Sequence, residues 1–289
     1  MGLADLYREK SCVLSYELFP PKTDAGMTAL SENLTRLLAF DPDFITCTYG
    51  AGGSTRDITL DALNLVREQS DVPLASHLTC VGATADELRD YLREAASRGI
   101  DSIVAIRGDA PKGEDSFTAT EGGFSYAHEL VTLIRAEFPQ FNIIVGGYPE
   151  THPEASSAEA DLDHLKHKVD CGADAVVTQL FYDNSDFYRF RDKCVARGIN
   201  LPIIPGIMPV TSLPQIQRIS ALCGASLPEA LVADLERCGD DQECAVQVGI
   251  DHATNQTRDL VANEVPGLHF YVLNKSRATA DVLTALGGV

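Results

Sequence analysis

Short apolar runs alternate with amphipathic stretches along almost the whole chain, and this alternation is the strongest structural signal in the sequence. The runs are apolar at consecutive positions, which is typical of strands buried on both faces of a parallel sheet. After each run, apolar residues recur with the three- to four-residue spacing of an amphipathic helix. The predicted strands cover residues 12–19, 44–49, 73–80, 103–106, 142–148, 175–181, 202–207 and 268–273. The predicted helices cover residues 1–10, 27–38, 60–66, 84–96, 126–137, 158–169, 187–196 and a last segment from 276.

Eight strand-then-helix units follow one another without a linker or a break in composition. Strict β–α alternation favours a parallel sheet, and eight units favour its closure into a (β/α)8 TIM barrel over an open doubly wound sheet. The stretch 211–266 is too long for one crossover, so extra helices are expected between strands seven and eight. We therefore predict an α/β fold in which residues 1–289 form a single barrel domain.

The formal charge of −19 restricts the partners that this chain can have. Nucleic acid and anionic membrane surfaces both require a basic footprint on the protein, so neither is an expected partner. No stretch approaches the roughly 18 apolar residues of a membrane span, and residues 1–10 lack the apolar core of a signal peptide. We expect a soluble, cytoplasmic protein.

The eight cysteines are scattered and contain no C-x-x-C motif. The closest pair, Cys238 and Cys244, is predicted to lie in an acidic loop with no second pair nearby. Several others lie within apolar strands, where cysteine behaves as a small hydrophobe. We therefore expect no metal site, and the pattern fits a reducing compartment.

Polar and titratable residues are concentrated where the predicted strands end. In a (β/α)8 barrel, these strand ends and the loops after them form the active face. Every strand except the seventh brings a titratable or hydrogen-bonding group there, which a stable barrel does not require. The seventh strand brings Gly206 and Met208. The candidate residues on this face are Glu17, Thr48, His77, Arg107, Gly108, Asp109, Tyr148, His152, Gln179, Tyr271 and Lys275.

Arg107, Gly108 and Asp109 directly follow four apolar residues at the end of the fourth predicted strand. Glycine lets a backbone approach a ligand closely, and the flanking charges can fix polar groups on that ligand. The alternative is an Arg–Asp ion pair that closes a surface turn. The similar ends of the other strands favour the ligand-binding interpretation.

Glu17 interrupts the first apolar strand at its rim end. Among Tyr16, Leu18 and Phe19, burial would disfavour the charged carboxylate and raise its pKa, the condition for a general acid near neutral pH. The alternative is an outward-facing residue on the barrel wall. For His77, the alternative to a functional role is a structural histidine that is hydrogen-bonded within the core.

The glycine-rich segment from Gly50 to Thr55 resembles the start of a dinucleotide fingerprint. The third glycine of G-x-G-x-x-G would fall at Thr55, and no acidic partner follows at the right place, so we reject the Rossmann interpretation. A loop that a ligand approaches remains open. On the helix predicted at 158–169, Asp161 and Lys168 lie on one stripe, about 10 Å apart along the axis. They are either two solvated charges or a pair that faces a ligand.

Several short blocks, taken together and in this order, resemble the methylenetetrahydrofolate reductase family. Each block is weak alone, but the set is specific and extends from Ser15 to Ala285. The blocks are YELFPPK at 16–22, TYG at 48–50, HLTC at 77–80, RGD at 107–109, YPETHP at 148–153, QLFYD at 179–183, PGIMP at 205–209 and FYVLN at 270–274.

The resemblance implies a (β/α)8 barrel that holds FAD without a covalent bond, and it implies roles for individual residues. Glu17 matches the general acid, and Asp109 matches the aspartate near the flavin ring that also contacts the folate. Gln179 matches a folate contact, and Tyr271 and Lys275 complete the expected substrate-binding set. The positions that match the FAD site are Thr48, His77, Arg107, Gly108, Asp109, Tyr126, Ala127, Tyr148, His152, Asp161 and Lys168.

The implied reaction belongs to one-carbon metabolism and methionine supply, and it consists of two half-reactions. NADH or NADPH gives a hydride to the flavin, and methylenetetrahydrofolate then receives that hydride to become methyltetrahydrofolate. Glu17 supplies the proton that lets the ring nitrogen leave. The alternative is a flavin- or folate-binding subunit that takes its electrons from a partner protein. We also expect copies of the chain to associate as a homo-oligomer.

Two positions depart from the bacterial members of the family. Leu213 stands where an aromatic residue contacts the substrates, and Lys275 stands where an arginine is placed for the glutamate tail of the folate. Lysine cannot form a bidentate pair with a carboxylate, so we expect weaker tail binding. The chain also ends soon after the barrel, and we expect no regulatory domain of the eukaryotic type.

Overall fold

The computed structural model describes residues 3–49, 56–109 and 117–288. Within these ranges, eight parallel strands form a closed barrel in which β1 pairs with both β2 and β8. The TIM-barrel prediction is confirmed, including the extra helices α8, α9 and α10 between β7 and β8. The strands are β1 Val13–Leu18, β2 Phe44–Cys47, β3 Leu74–Thr79, β4 Ser102–Ile106, β5 Asn142–Gly147, β6 Ala175–Leu180, β7 Ile203–Ile207 and β8 Gly267–Tyr271. The helices are α1 Leu3–Glu9, α2 Asp24–Leu38, α3 Arg56–Gln69, α4 Ala85–Ser97, α5 Ala127–Glu137, α6 Ala158–Asp170, α7 Asn184–Ala196, α8 Leu213–Cys223, α9 Glu229–Cys238, α10 Gln242–Ala262 and α11 Ser276–Leu286.

Side-chain caps decide where several helices begin. Thr84 and Glu87 form a capping box before α4, in which each side chain accepts a hydrogen bond from the backbone N–H of the other residue, at 2.8 and 3.3 Å. Helix α2 begins at Asp24 rather than at residue 27, because Thr23 caps it by accepting from the Gly26 N–H. These caps fix the helices that lead away from the rim.

The half of the barrel interior nearest the strand starts is apolar. Side chains at alternate strand positions point inward, and those of this half form one buried cluster. Helix α1 covers the cluster: Leu3 is buried in it, and Leu6 and Tyr7 pack against it. The inward residues are Val13, Phe44, Ala75, Val104, Ile144, Ala175, Val177 and Ile204. The inward-facing polar residues of the strands therefore lie in the opposite half of the interior, at the carboxyl-terminal ends of the strands.

The extra helices α8, α9 and α10 pack over the ends of β6, β7 and β8. Tyr182 and Met208, beyond the ends of β6 and β7, share a buried cluster with Ile216 of α8 and Leu231 of α9. Even the 21-residue α10 is not apolar enough to cross a membrane, and the same holds for every other described helix. The extra helices therefore form a wall beside the active face.

The predicted loop around Cys238 and Cys244 is wrong. Cys238 is the last residue of α9, and Cys244 lies in the first turn of α10. Asp241 caps α10 by accepting hydrogen bonds from the N–H groups of Glu243 and Cys244, so the acidic residues start a helix instead of filling a loop. A disulfide joins the two cysteines, which the scattered spacing did not predict.

At Gly249, helix α10 packs closely against the backbone of the segment after β7. A Cβ at this position would lie 1.8 Å from the carbonyl oxygen of Val210, which is backbone and cannot move aside easily. We expect Gly249→Ala to lower the free energy of unfolding in urea by about 1–3 kcal/mol, because this overpacking exceeds the gain in helix propensity. Gly146→Ala is the control, since its Cβ would meet no atom within 4 Å. Equal stability of Gly249→Ala and the wild type would contradict this contact.

Candidate active site

A buried carboxylate lies between two imidazoles at the rim end of the barrel interior. Glu17 of β1 is 8% exposed, and its Oε2 lies 3.2 Å from Nε2 of His77 in β3. The same oxygen lies 3.8 Å from Nε2 of His269 in β8. Both histidines are buried as well. Closure of the barrel brings the three side chains together, because β1 pairs with the last strand.

The predicted rise in the pKa of Glu17 is wrong. Burial does act to raise this pKa, but His77, and then His269, act in the opposite direction and lower it to about 2. The sequence neighbours Tyr16 and Leu18 point to the opposite face of the strand and do not surround the carboxyl. The environment of the carboxylate is therefore set by side chains of β3 and β8 and not by its neighbours in the sequence.

Ser15 and His269 lie one step deeper in the barrel and were not among the predicted site residues. They are paired in the register of β1 and β8, and Ser15 Oγ lies 2.8 Å from His269 Nδ1. The same register pairs Glu17 with Tyr271. The sequence contains a signal that could have found them. Ser15 lies two positions before Glu17, and His269 lies two positions before Tyr271, so each shares a strand face with a predicted site residue.

The turn after β4 requires its glycine. Gly108 has a φ of +88°, and a Cβ there would lie 2.8 Å from Cγ1 of Val81. The Arg107 guanidinium pairs with Glu154 at 2.8 Å and lies over the ring of Phe117. Arg107 therefore forms its ion pair with the segment after β5. It does not form the pair with Asp109 that the surface-turn alternative requires.

Three predicted site residues, two just after β4 and β5 and one in β6, lie close together at the rim. The pKa of Tyr148 is raised by burial and then by the negative charge of Asp109. A hydrogen bond with the Gln179 side chain acts in the opposite direction. Burial, and then the charge of Asp109, also raises the pKa of Cys223 in α8, so the aspartate lies within electrostatic range of the extra helices.

Tyr271 closes the same region from β8. Its hydroxyl donates to the carbonyl of Thr178 at 2.7 Å, and its ring meets that of His269 edge-on at 5.3 Å. Burial, and then the charge of Glu17, raises the pKa of Tyr271. A Cβ at Gly206 would lie 2.6 Å from this ring, so the glycine of β7 makes room for the tyrosine.

Asp161 and Lys168 both face inward from α6, Lys168 toward the end of β5 and Asp161 toward the segment after it. Asp161 accepts from the His152 N–H at 2.9 Å, and the Lys168 ammonium donates to the carbonyl of Gly146 at 2.6 Å. Burial lowers the pKa of Lys168 to about 8, although Asp161 acts to raise it. The Gly146 carbonyl uses one of the three donors of the ammonium. These are not two solvated charges.

Tyr126 belongs to a shelf of near-parallel rings on α5 and α6. It is 51% exposed and directly precedes Ala127, the first residue of α5. Its ring stacks with those of His128 and His164, and His128 stacks on His167 at 4.0 Å. The three histidines were not predicted as site residues.

Within the described ranges, no group of three or more His, Cys, Asp or Glu side chains could hold a metal ion.

The remaining predicted residues lie at the edges of the site. Thr48 follows β2, and its carbonyl accepts from the Thr59 hydroxyl at 3.0 Å. Lys275 is exposed and lines a cleft of about 370 Å³ beside the extra helices. Leu213, the position of the expected aromatic contact, packs instead against the buried cluster of those helices. The glycine-rich segment 50–55 lies outside the described residues.

Comparisons with known proteins agree over nearly the whole chain. The family model of methylenetetrahydrofolate reductase matches residues 3–287. A 5,10-methylenetetrahydrofolate reductase of Escherichia coli K12 is 38% identical over 95% of this chain and 90% of its own length. Methylenetetrahydrofolate reductase (NADH) 1 of Arabidopsis thaliana is 40% identical over 94% of the chain, which spans only 48% of that plant protein. A solved Clostridium thermocellum protein that binds two copies of 5-methyl-5,6,7,8-tetrahydrofolic acid shares the fold, with a TM-score of 0.65, 16% identity, and coverage of 97% of this chain and 96% of its own.

Proposed function

The chain belongs to the methylenetetrahydrofolate reductase family, and from that premise we propose that it reduces 5,10-methylenetetrahydrofolate to 5-methyltetrahydrofolate. NADH or NADPH would supply the electrons, and FAD held at the rim of this barrel would pass them to the folate. The observation that carries the proposal is the buried Glu17 carboxylate between His77 and His269 at the rim. A carboxyl placed at the rim end of the barrel interior is one of the usual general acids, and its position suits proton transfer to a ligand bound at the rim.

The residues at the rim fit a flavin dinucleotide. Lys168 is an ammonium with donors left for phosphate or ribose oxygens. The Nδ1 of His77 is buried without a hydrogen-bond partner in the described part of the chain, so it offers a polar contact to a bound ring. When bound, the flavin supplies hydride transfer between nicotinamide and folate.

The protein side of the reaction is binding, orientation and proton delivery. Glu17 gives its proton to the nitrogen that leaves the methylene bridge. Asp109 and Gln179, which both interact with Tyr148, hold the polar edge of the pterin ring. Lys275, exposed beside the cleft, meets the glutamate tail of the folate as a point charge.

The cofactor and the electron donor can be tested on the purified protein. We expect a yellow protein whose heat-released flavin is FAD, and whose visible absorbance bleaches when NADH or NADPH is added without oxygen. Release of FMN, or a colourless protein that FAD cannot reconstitute, would contradict the cofactor proposal. If a protein donor bleaches the flavin absorbance and neither nicotinamide does, the electron donor is a partner protein and not NADH or NADPH.

Asp109→Asn is expected to move the two half-reactions in opposite directions. Removal of a carboxylate near the flavin raises the reduction potential, so reduction by nicotinamide becomes faster. Hydride transfer to folate becomes slower, and the loss of a charged hydrogen-bond acceptor weakens folate binding by roughly tenfold. Stopped-flow measurement of each half-reaction checks this. If the flavin reduction potential is unchanged and only nicotinamide oxidation is slower, Asp109 does not lie beside the flavin.

A further inference from the structure

The backbone of Phe19, just after β1, is held by one side chain from the other end of the chain. The Phe19 N–H donates to Oδ1 of Asn274 at 2.8 Å, and Nδ2 of Asn274 donates to the Phe19 carbonyl at 2.7 Å. An asparagine amide can pair with a backbone in this way because it carries both an acceptor and a donor. The two bonds continue the β1–β8 pairing beyond Glu17, whose carbonyl accepts from the Val272 N–H at 3.3 Å.

The turn that presents Asn274 has a strained backbone. Leu273 has a φ of +47° and Asn274 a φ of +57°, and the Lys275 N–H closes the turn by donating to the Val272 carbonyl at 2.8 Å. Asparagine tolerates the left-handed region, whereas leucine rarely adopts it. Strain of this kind is concentrated at functional sites, where the surrounding structure maintains it. The strain therefore points to a function for the segment that Asn274 holds.

The ring of Phe19 lies on the same side of β1 as the Glu17 carboxyl. The backbone groups of Glu17 and Phe19 bond toward β8, whereas the Leu18 carbonyl accepts from the Thr48 N–H, beyond β2, at 2.9 Å. The strand alternation therefore continues past the last residue of β1, and residues two apart share a face. Leu18 is fully buried in the outer core, while Phe19 is 42% exposed. The ring of Phe19 thus lies next to the Glu17 position at the mouth of the barrel.

Phe19 lies between the groups that the proposed function gives to the two ends of the folate. Glu17, two residues earlier, faces the pterin, and Lys275, directly after Asn274, meets the glutamate tail. The part of a folate between these ends is a flat aminobenzoyl ring. Leu213 cannot supply an aromatic contact to it and packs into the cluster of the extra helices. An exposed aromatic ring on a fixed backbone offers the flat apolar face that another ring packs against.

We propose that Phe19 is a substrate-contact residue whose ring packs against the aminobenzoyl ring of the folate, and that Asn274 is the positioning residue that holds it there. This inference rests on the proposed function and concerns the middle part of the same substrate. The contact lies away from the reacting atoms, so it stabilises the bound folate equally before and during hydride transfer. It therefore lowers Kd and KM without raising the rate at saturating folate.

Calorimetric titration of the flavin-loaded protein with 5-methyltetrahydrofolate tests the contact. We expect Phe19→Ala to weaken binding by about tenfold, and Phe19→Leu, which keeps apolar area but no flat face, by about threefold. Phe19→Tyr keeps the ring and should bind as the wild type does. The rate of flavin reoxidation at saturating methylenetetrahydrofolate should be unchanged in all three variants. Wild-type affinity in Phe19→Ala, or a loss confined to the rate at saturating folate, would overturn the contact.

Asn274→Gly tests the positioning role, because glycine adopts the left-handed conformation without strain and removes only the amide. We expect folate binding about threefold weaker, and faster hydrogen exchange at the Phe19 amide. Asn33→Ala is the matched control. Asn33 Oδ1 accepts from the N–H and hydroxyl of Ser276 at 3.1 and 2.7 Å, so this variant loosens the same loop without touching Phe19. It should bind folate as the wild type does.

Equal weakening of folate binding in Asn274→Gly and Asn33→Ala would overturn the positioning role, because any loosening of the loop would then have the same effect. Wild-type affinity in Asn274→Gly would overturn it as well. A wild-type protein that does not bind 5-methyltetrahydrofolate would contradict the proposed function itself. That result differs from a wild type and a Phe19→Ala variant that bind the folate equally well, which overturns the contact alone.

Discussion

Glu17→Gln is expected to slow reduction of methylenetetrahydrofolate by about 10²-fold or more, the usual loss for a general acid. The amide keeps the size of the side chain and can still hydrogen-bond to His77 and His269. It cannot release a proton to the leaving nitrogen, so the substrate ring opens slowly. Oxidation of nicotinamide by the same protein should change little, because that half-reaction needs no acid.

Two stopped-flow traces distinguish this outcome from general damage to the fold. Glu68→Gln, which alters an exposed carboxylate on α3, is the control and should leave both half-reactions intact. Equal losses in the two half-reactions of Glu17→Gln would mean that the carboxylate only supports the barrel. If the rate of folate reduction is unaffected in Glu17→Gln, Glu17 is not the general acid.

Lys168→Met should weaken flavin binding by roughly 10- to 100-fold, the loss expected when a charged hydrogen-bond donor is removed from a buried contact. Methionine fills similar space but offers no donor to phosphate or ribose oxygens. Flavin affinity is measured by fluorescence during titration of the flavin-free protein. Lys166→Met, two residues away and paired with Asp170 on the outer side of α6, is the matched control.

The low pKa of Lys168 gives the same site a pH dependence. Burial lowers this pKa to about 8, so the ammonium loses its proton as pH rises through that value. Flavin affinity should therefore fall above pH 8 in the wild type and stay level in Lys168→Met. A wild-type affinity that is constant through this range would mean that Lys168 does not contact the flavin.

The barrel was predictable because its signal is local. Apolar runs and helical spacing repeat along the chain, and the predicted capping box of Thr84 and Glu87 is present as expected. The strand ends were predictable for the same reason, since the active face follows from the order of the elements. Even small boundary differences have local causes, as with the Thr23 cap that starts α2 early.

The electrostatics of the site were not predictable, because they depend on register between distant strands. The environment of Glu17 is set by His77 and His269, and the sequence neighbours face the other way. Ser15 and His269 are ordinary residues in two apolar strands until barrel closure pairs them. The disulfide between Cys238 and Cys244 likewise depends on how α9 meets α10.

The most direct measurement is a single turnover with flavin-loaded protein that has been reduced chemically and mixed anaerobically with methylenetetrahydrofolate. The account predicts that the absorbance of oxidised flavin returns, that methyltetrahydrofolate forms in equal amount, and that Glu17→Gln slows both signals together. Flavin that stays reduced in the presence of saturating folate would contradict the account.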